Sequence, residues 1–143
     1  MMMQQLHPLK MINKFLLILT CFAFLSANTE QEKEIALHHF MQGEFLMNQG
    51  NYALAVLEFQ DAIDLEPNAA TIHISIADAY RRLGKGKRSE DHLMIALDLD
   101  PKDLEAREML GQLYLAQNKF IDAELVLKEL KILDPDNLDY LFT

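Results

Sequence analysis

The residues able to bind a metal or move a proton are five histidines, 22 acids and the single Cys21. His38 and His39 are adjacent, so on a helix they point to different sides. With His73 and His92 they show no ligand spacing, and a closed zinc site needs four converging ligands. Structural histidines and no metal site are therefore expected. The acids are spread along the chain with no evident paired carboxylates. Gly84-Lys85-Gly86-Lys87 reads as a helix turn and lacks the pattern of a phosphate-cradling loop. No nucleophile stands with a base, so neither catalysis nor a cofactor is expected. Cys21 cannot form an internal disulfide and says nothing about redox compartment. Arg81, Arg82, Lys85, Lys87 and Arg88 form a dense basic cluster. It could hold an acidic partner segment or anionic headgroups, but such runs are commonly solvated helix ends, and that reading is preferred.

The elements that must position these residues follow from the rest of the chain. Its 143 residues are enough for one domain, and half are apolar, enough for a core. The net charge of -9 argues against a nucleic-acid partner bound through phosphate neutralisation. Residues 1–27 stand apart. Lys10 and Lys14 flank the apolar run from Phe15 to Leu25, and Ser26-Ala27-Asn28 follows. That layout is a secretory signal, and the run is shorter than the roughly 20 residues of a spanning helix. Export to a periplasmic or secreted location is expected, with cleavage near Ala27. Two alternatives stay open: a membrane anchor through residues 15–25, and a lipoprotein acylated at Cys21. Residues 28–35 form a polar lead-in, in which Thr29 and Glu32 fit a capping box or else belong to a disordered linker.

From Ala36 a 34-residue period takes over. Pro67, Pro101 and Pro135 recur at that interval, as do Gly50, Gly84 and Asn118. The units are 36–69, 70–103 and 104–137, followed by a tail, 138–143. In each, Gly or Asn stops a first helix in the left-handed cap, and proline ends a second one. Apolar residues recur at three and four: Gly43, Leu46, Ala55, Phe59 and Ala62, then Ile76, Ala77, Tyr80, Leu93 and Ala96, then Leu110, Gly111, Tyr114, Ala123, Leu127 and Leu130. This is a helical stripe. One helix pair cannot bury it alone, so the repeats stack.

These residues resemble the tetratricopeptide repeat. Gly43, Ala55, Phe59, Ala62 and Pro67 match its pattern in the first unit, Tyr80, Ala96 and Pro101 in the second, and Leu110, Gly111, Tyr114, Ala123 and Pro135 in the third. The family's early aromatic is absent, with His39, His73 and Arg107 in its place. The resemblance implies an all-α, right-handed superhelical array of three helical hairpins. It also implies a protein or peptide partner in the concave face lined by the first helices. The groove residues would be Leu37, Phe40, Glu44, Met47 and Asn48, then Ile74, Asp78, Arg81 and Arg82, then Glu108 and Gln112. Phe40 and Met47 would offer an apolar anchor, or else fill a gap against the lead-in helix. The family's carboxylate clamp for chaperone tails is not matched: Phe40 and Glu44, Ser75, and Glu105 and Met109 stand at its positions.

The function expected is an exported, non-catalytic scaffold, in an envelope assembly or secretion apparatus. Two alternatives are a structural subunit that self-associates and a fragment of a longer array. The self-associating subunit rests on the last helix. Ile121, Leu125 and Ile132 fall opposite its inner face at 100° per residue, and a helix apolar on both sides wants a second cover. They are expected to form a homodimer or partner contact, while the tail Leu138–Phe142 would cap the inner end of the array.

Overall fold

The computed structural model describes residues 29–135. The expected signal segment, Cys21 and the C-terminal tail lie outside these residues. Six helices follow one another: α1 (29–48), α2 (Tyr52–Leu65), α3 (Ala70–Arg82), α4 (Gly86–Leu99), α5 (Leu104–Ala116) and α6 (Phe120–Leu133). No strand occurs among the described residues. The polar lead-in from residue 29 onward is helical and continuous with α1, so the linker alternative does not hold there.

Each hairpin turn is built the same way. Gly50, Gly84 and Asn118 take φ of 77°, 70° and 59°, the left-handed region that glycine and asparagine enter most readily. Two backbone bonds close each turn. Gly50 N–H donates to Met47 O at 3.0 Å and Asn51 N–H to Leu46 O at 2.9 Å. The same pair recurs from Gly84 and Lys85 to Arg81 and Tyr80, and from Asn118 and Lys119 to Leu115 and Tyr114. These are Schellman caps, which satisfy carbonyls that a helix end otherwise leaves unpaired. At the prolines, Glu66, Asp100 and Asp134 N–H close the last bonds of α2, α4 and α6. Asp100 Oδ1 then accepts from Lys102 N–H at 3.0 Å, and Asp103 Oδ1 caps α5 by accepting from Ala106 N–H at 2.7 Å.

The core lies between repeats as much as within them. One cluster joins Ala55, Phe59, Ala62 and Ile63 of α2 to Ile72, Ile76, Ala79 and Tyr80 of α3. A second joins Ile74 and Ala77 of α3, Leu93 and Ala96 of α4, and Ala106, Leu110 and Leu113 of α5. Small residues on the first helices admit large ones from the second. A methyl added at Gly43 would stand 2.5 Å from Phe59 Cε1, and one at Gly111 would stand 3.2 Å from Leu127 Cδ2. Glycine is required at Gly43 because the Phe59 ring, fully buried, occupies the space of its missing side chain.

Candidate binding face and polar cross-links

The first helices of the three hairpins leave one stripe accessible. On α1 it is Leu37, Met41, Glu44 and Asn48. On α3 the same repeat positions hold Thr71, Ser75, Asp78 and Arg82, and on α5 Glu105, Met109, Gln112 and Ala116. The spacing of four, three and four puts each set on one side of its helix. The face is apolar at the first hairpin, hydroxylic at the start of α3 and ionic or amidic beyond. Asp78 is shared by two arginines: Arg81 pairs with its Oδ1, and Arg82 Nε reaches Oδ2 at 3.3 Å. Gln112 donates to Glu108 at 3.0 Å.

The expected groove residues divide on this geometry. Leu37, Asn48, Arg81, Arg82, Glu108 and Gln112 are exposed, and Glu44 and Asp78 are half-buried. Ile74 is a correction: it is only 5% exposed and belongs to the second core cluster. Phe40 and Met47 are half-buried and pack against the first cluster, with the Phe40 ring centroid 5.9 Å from that of Phe59. They are packing residues rather than a free anchor. Phe40, Ile74 and Glu108 share one repeat position. It is covered in the first two repeats, where α3 or α5 packs over the cluster it joins, and open in the third. Met41 was missed, although it follows Leu37 by four residues.

The basic cluster is spread over separate partners. Lys87 Nζ meets Asp91 at 2.8 Å. Lys85 and Arg88 lie over the Tyr80 ring at 6.0 and 5.5 Å, and Arg82 lies 5.7 Å from the Tyr52 ring. These groups support the hairpins. On the next turn Lys119 Nζ and the Tyr114 hydroxyl both donate to Glu90, at 3.1 and 3.3 Å, tying the third hairpin to α4. Burial, with Glu90 adding to it, raises the Tyr114 hydroxyl above its ordinary pKa.

The residues in place of the family's early aromatic make a polar link across every hairpin. His73 Nε2 contacts Pro67 O at 3.0 Å, and its Nδ1 lies 3.1 Å from His92 Nδ1. A carbonyl only accepts, so Nε2 of His73 carries a proton. Neutral His73 then accepts at Nδ1, and His92 donates. The His92 ring lies between His73 and Tyr80, at 5.4 and 5.6 Å. Burial first, then His73, lower the His92 pKa; Asp91 opposes them, and Arg88 adds a smaller lowering. Arg107 repeats the pattern: its Nη2 donates to Pro101 O at 2.8 Å and its Nε to Glu129 at 3.3 Å. In the first hairpin His39 Nδ1 lies 2.8 Å from Glu58 Oε2 and 4.0 Å from Asp61 Oδ2. One expectation is thereby corrected: Glu58 and Asp61 bring two carboxylates together beside one histidine. They lie 19 and 22 residues from His39 in sequence, a separation that spacing between histidines alone does not reveal.

On the last helix Ile121, Leu125 and Ile132 are 85%, 62% and 75% exposed. Beside them lies a cleft of about 300 Å³, walled by Met94, Leu97, Leu110, Leu125 and Val126, with Arg107 and Glu129 at its edge. Val126, one of its walls, stands where His92 stands one repeat earlier. No helix among the described residues is long and apolar enough to cross a membrane.

Comparison with known proteins agrees with this architecture. Among solved structures, the first such repeat domain of Spaghetti (RPAP3) bound to the HSP90 peptide SRMEEVD superposes with a TM-score of 0.72 at 24% identity, covering 76% of this chain and 86% of that one. The Arabidopsis OM64 domain gives 0.72 at 20% identity, with 77% and 91% covered. The second domain of human RPAP3, in complex with the HSP70 peptide SGPTIEEVD, gives 0.69 at 18%, with 79% and 92% covered. At these identities the likeness is one of fold. A curated relative, a protein O-mannosyl-transferase of Caenorhabditis elegans, is 29% identical over 75 residues, which is 52% of this chain and only 11% of that protein. The sequence pattern of the tetratricopeptide repeat matches residues 40–93 and 74–137, and the chain belongs to the tetratricopeptide repeat family.

Proposed function

We propose that this protein is an exported, non-catalytic scaffold that holds a segment of a partner protein against the accessible face of α1, α3 and α5. The observation that carries this is the continuous stripe from Leu37 and Met41 through Thr71, Ser75 and Asp78 to Glu105 and Gln112, exposed at its two ends and at Thr71 and half-buried at Ser75 and Asp78. Similar domains are seen with bound chaperone peptides, which supports a peptide ligand here. The chemistry differs, however. Those peptides end in Glu-Glu-Val-Asp, whereas this face presents Glu44, Glu105 and Glu108, with both of its arginines already on Asp78. Its ligand is therefore a segment with an apolar anchor for Leu37 and Met41 and with neutral or basic residues beyond. Export rests on the layout of residues 1–27, and N-terminal sequencing of the mature protein checks it: a first residue near Asn28 is expected.

A second reading is a structural subunit joined through α6, favoured by the exposure of Ile121, Leu125 and Ile132. One experiment separates the two. A partner captured from the native envelope is identified, and its binding is measured to Leu37→Glu with Met41→Glu, and to Leu125→Asp with Ile132→Asp. Loss with the first pair alone supports the groove. Loss with the second pair alone overturns it in favour of the α6 contact.

A further inference from the structure

We propose that His39, Glu58 and Asp61 bind one divalent transition-metal cation of the zinc and cobalt class, clamping α1 to α2 at the first hairpin. Glu58 and Asp61 are one turn apart on α2, so both carboxylates leave the same side of that helix. His39 faces them from α1. One donor atom from each of the three lies within 4.8 Å of the others. An ion with bonds of ~2.0–2.1 Å in tetrahedral geometry places its donors about 3.4 Å apart. The distances from His39 Nδ1, 2.8 Å to Glu58 and 4.0 Å to Asp61, fall on either side of that value. Small side-chain rotations close the difference, and Asp61 is free to make them because its side chain is 61% exposed.

Charge supplies an independent reason. Residues 36–69 contain no lysine and no arginine. Among the described residues no lysine or arginine pairs with Glu58 or Asp61. The other hairpins resolve the same three positions differently. The second holds His73, His92 and Ile95, with no carboxylate; the third holds Arg107, Val126 and Glu129, where the guanidinium itself lies on the acid. Only the first hairpin presents two acids and an imidazole with no fixed cation. The donor set of one nitrogen and carboxylate oxygens fits zinc or cobalt better than magnesium or calcium, which favour oxygen ligands alone. Three protein ligands leave a further position for solvent. The site lies on the hairpin side of α1, apart from the accessible stripe of Leu37, Met41 and Glu44.

The test is cobalt(II) titration of the full chain carrying Cys21→Ser, which removes the competing thiol, followed by visible absorption, with zinc titration by calorimetry in parallel. One equivalent should bind with a ligand-field spectrum. His39→Ala should abolish this, and Asp61→Asn and Glu58→Gln should each weaken affinity at least tenfold. His38→Ala and His92→Ala should leave it unchanged. Metal-free circular dichroism identical to that of the parent shows that the exposed Asp61→Asn variant folds. Binding weaker than millimolar in the parent overturns the proposal, as does a one-equivalent signal that survives in both His39→Ala and Asp61→Asn.

Discussion

Ser89 is fully buried, and its hydroxyl finds no partner. The same repeat position holds Ala55 and Ala123, both fully buried. Leaving a buried hydroxyl unpaired costs about 1–3 kcal/mol, so Ser89→Ala should raise stability by roughly 1 kcal/mol in urea unfolding. His92 gives a second prediction. Its folded pKa is lowered by burial and by His73, while the unfolded value is near ~6.5. A base with a depressed folded pKa contributes its stability above the unfolded value and loses it as pH falls toward the folded one. Stability should therefore decline from pH 7.5 to 5.5, and His92→Gln should flatten that decline. An equal slope in the variant would assign it to other groups.

At the scale of the helix, α1 and α6 are the first and last described elements, and each presents apolar residues that no described element covers. On α1 the distinction between Phe40 and Met41 matters. Phe40 packs against Phe59, so Phe40→Glu should lower stability by about 1.5 kcal/mol, half or more of the value for burying such a side chain. Thermal melts check this, since a groove residue would leave the melt unchanged. On α6, Ala123 and Leu130 are fully buried while Ile121, Leu125 and Ile132 are not. If this stripe joins two copies, light scattering should find a dimer at high micromolar concentration, and Leu125→Asp with Ile132→Asp should return it to monomer with unchanged helical content. A monomeric parent rules out the homodimer.

The whole molecule is held by clusters that cross the repeat boundaries. Ile74 and Ala77 of the second hairpin share one with Ala106, Leu110 and Leu113 of the third. Stability in such arrays is a sum of repeat terms and nearest-neighbour interfaces. Leu93 is fully buried in that shared cluster. Leu93→Ala should cost about 2–5 kcal/mol and should speed hydrogen exchange in α3, α4 and α5 together. Acceleration confined to α3 and α4 would mean that the hairpins open independently.

The helices, their ends and their stacking were legible in the sequence because each follows from local rules. Gly50, Gly84 and Asn118 mark the positive-φ caps, the three prolines mark the exits, and a stripe that no hairpin can bury alone demands stacking. The identity of the inner residues of α6 followed in the same way, from 3.6-residue periodicity. Which first-helix residues remain open did not. Phe40 and Met41 are neighbours, one against Phe59 and the other exposed, and that difference depends on where the next hairpin lies. The polar links were hidden for the same reason. His39 meets Glu58, His73 meets His92 and Arg107 meets Glu129 across 19, 19 and 22 residues. Such pairs are set by the angle and separation of two packed helices, and no local pattern in the chain encodes that distance.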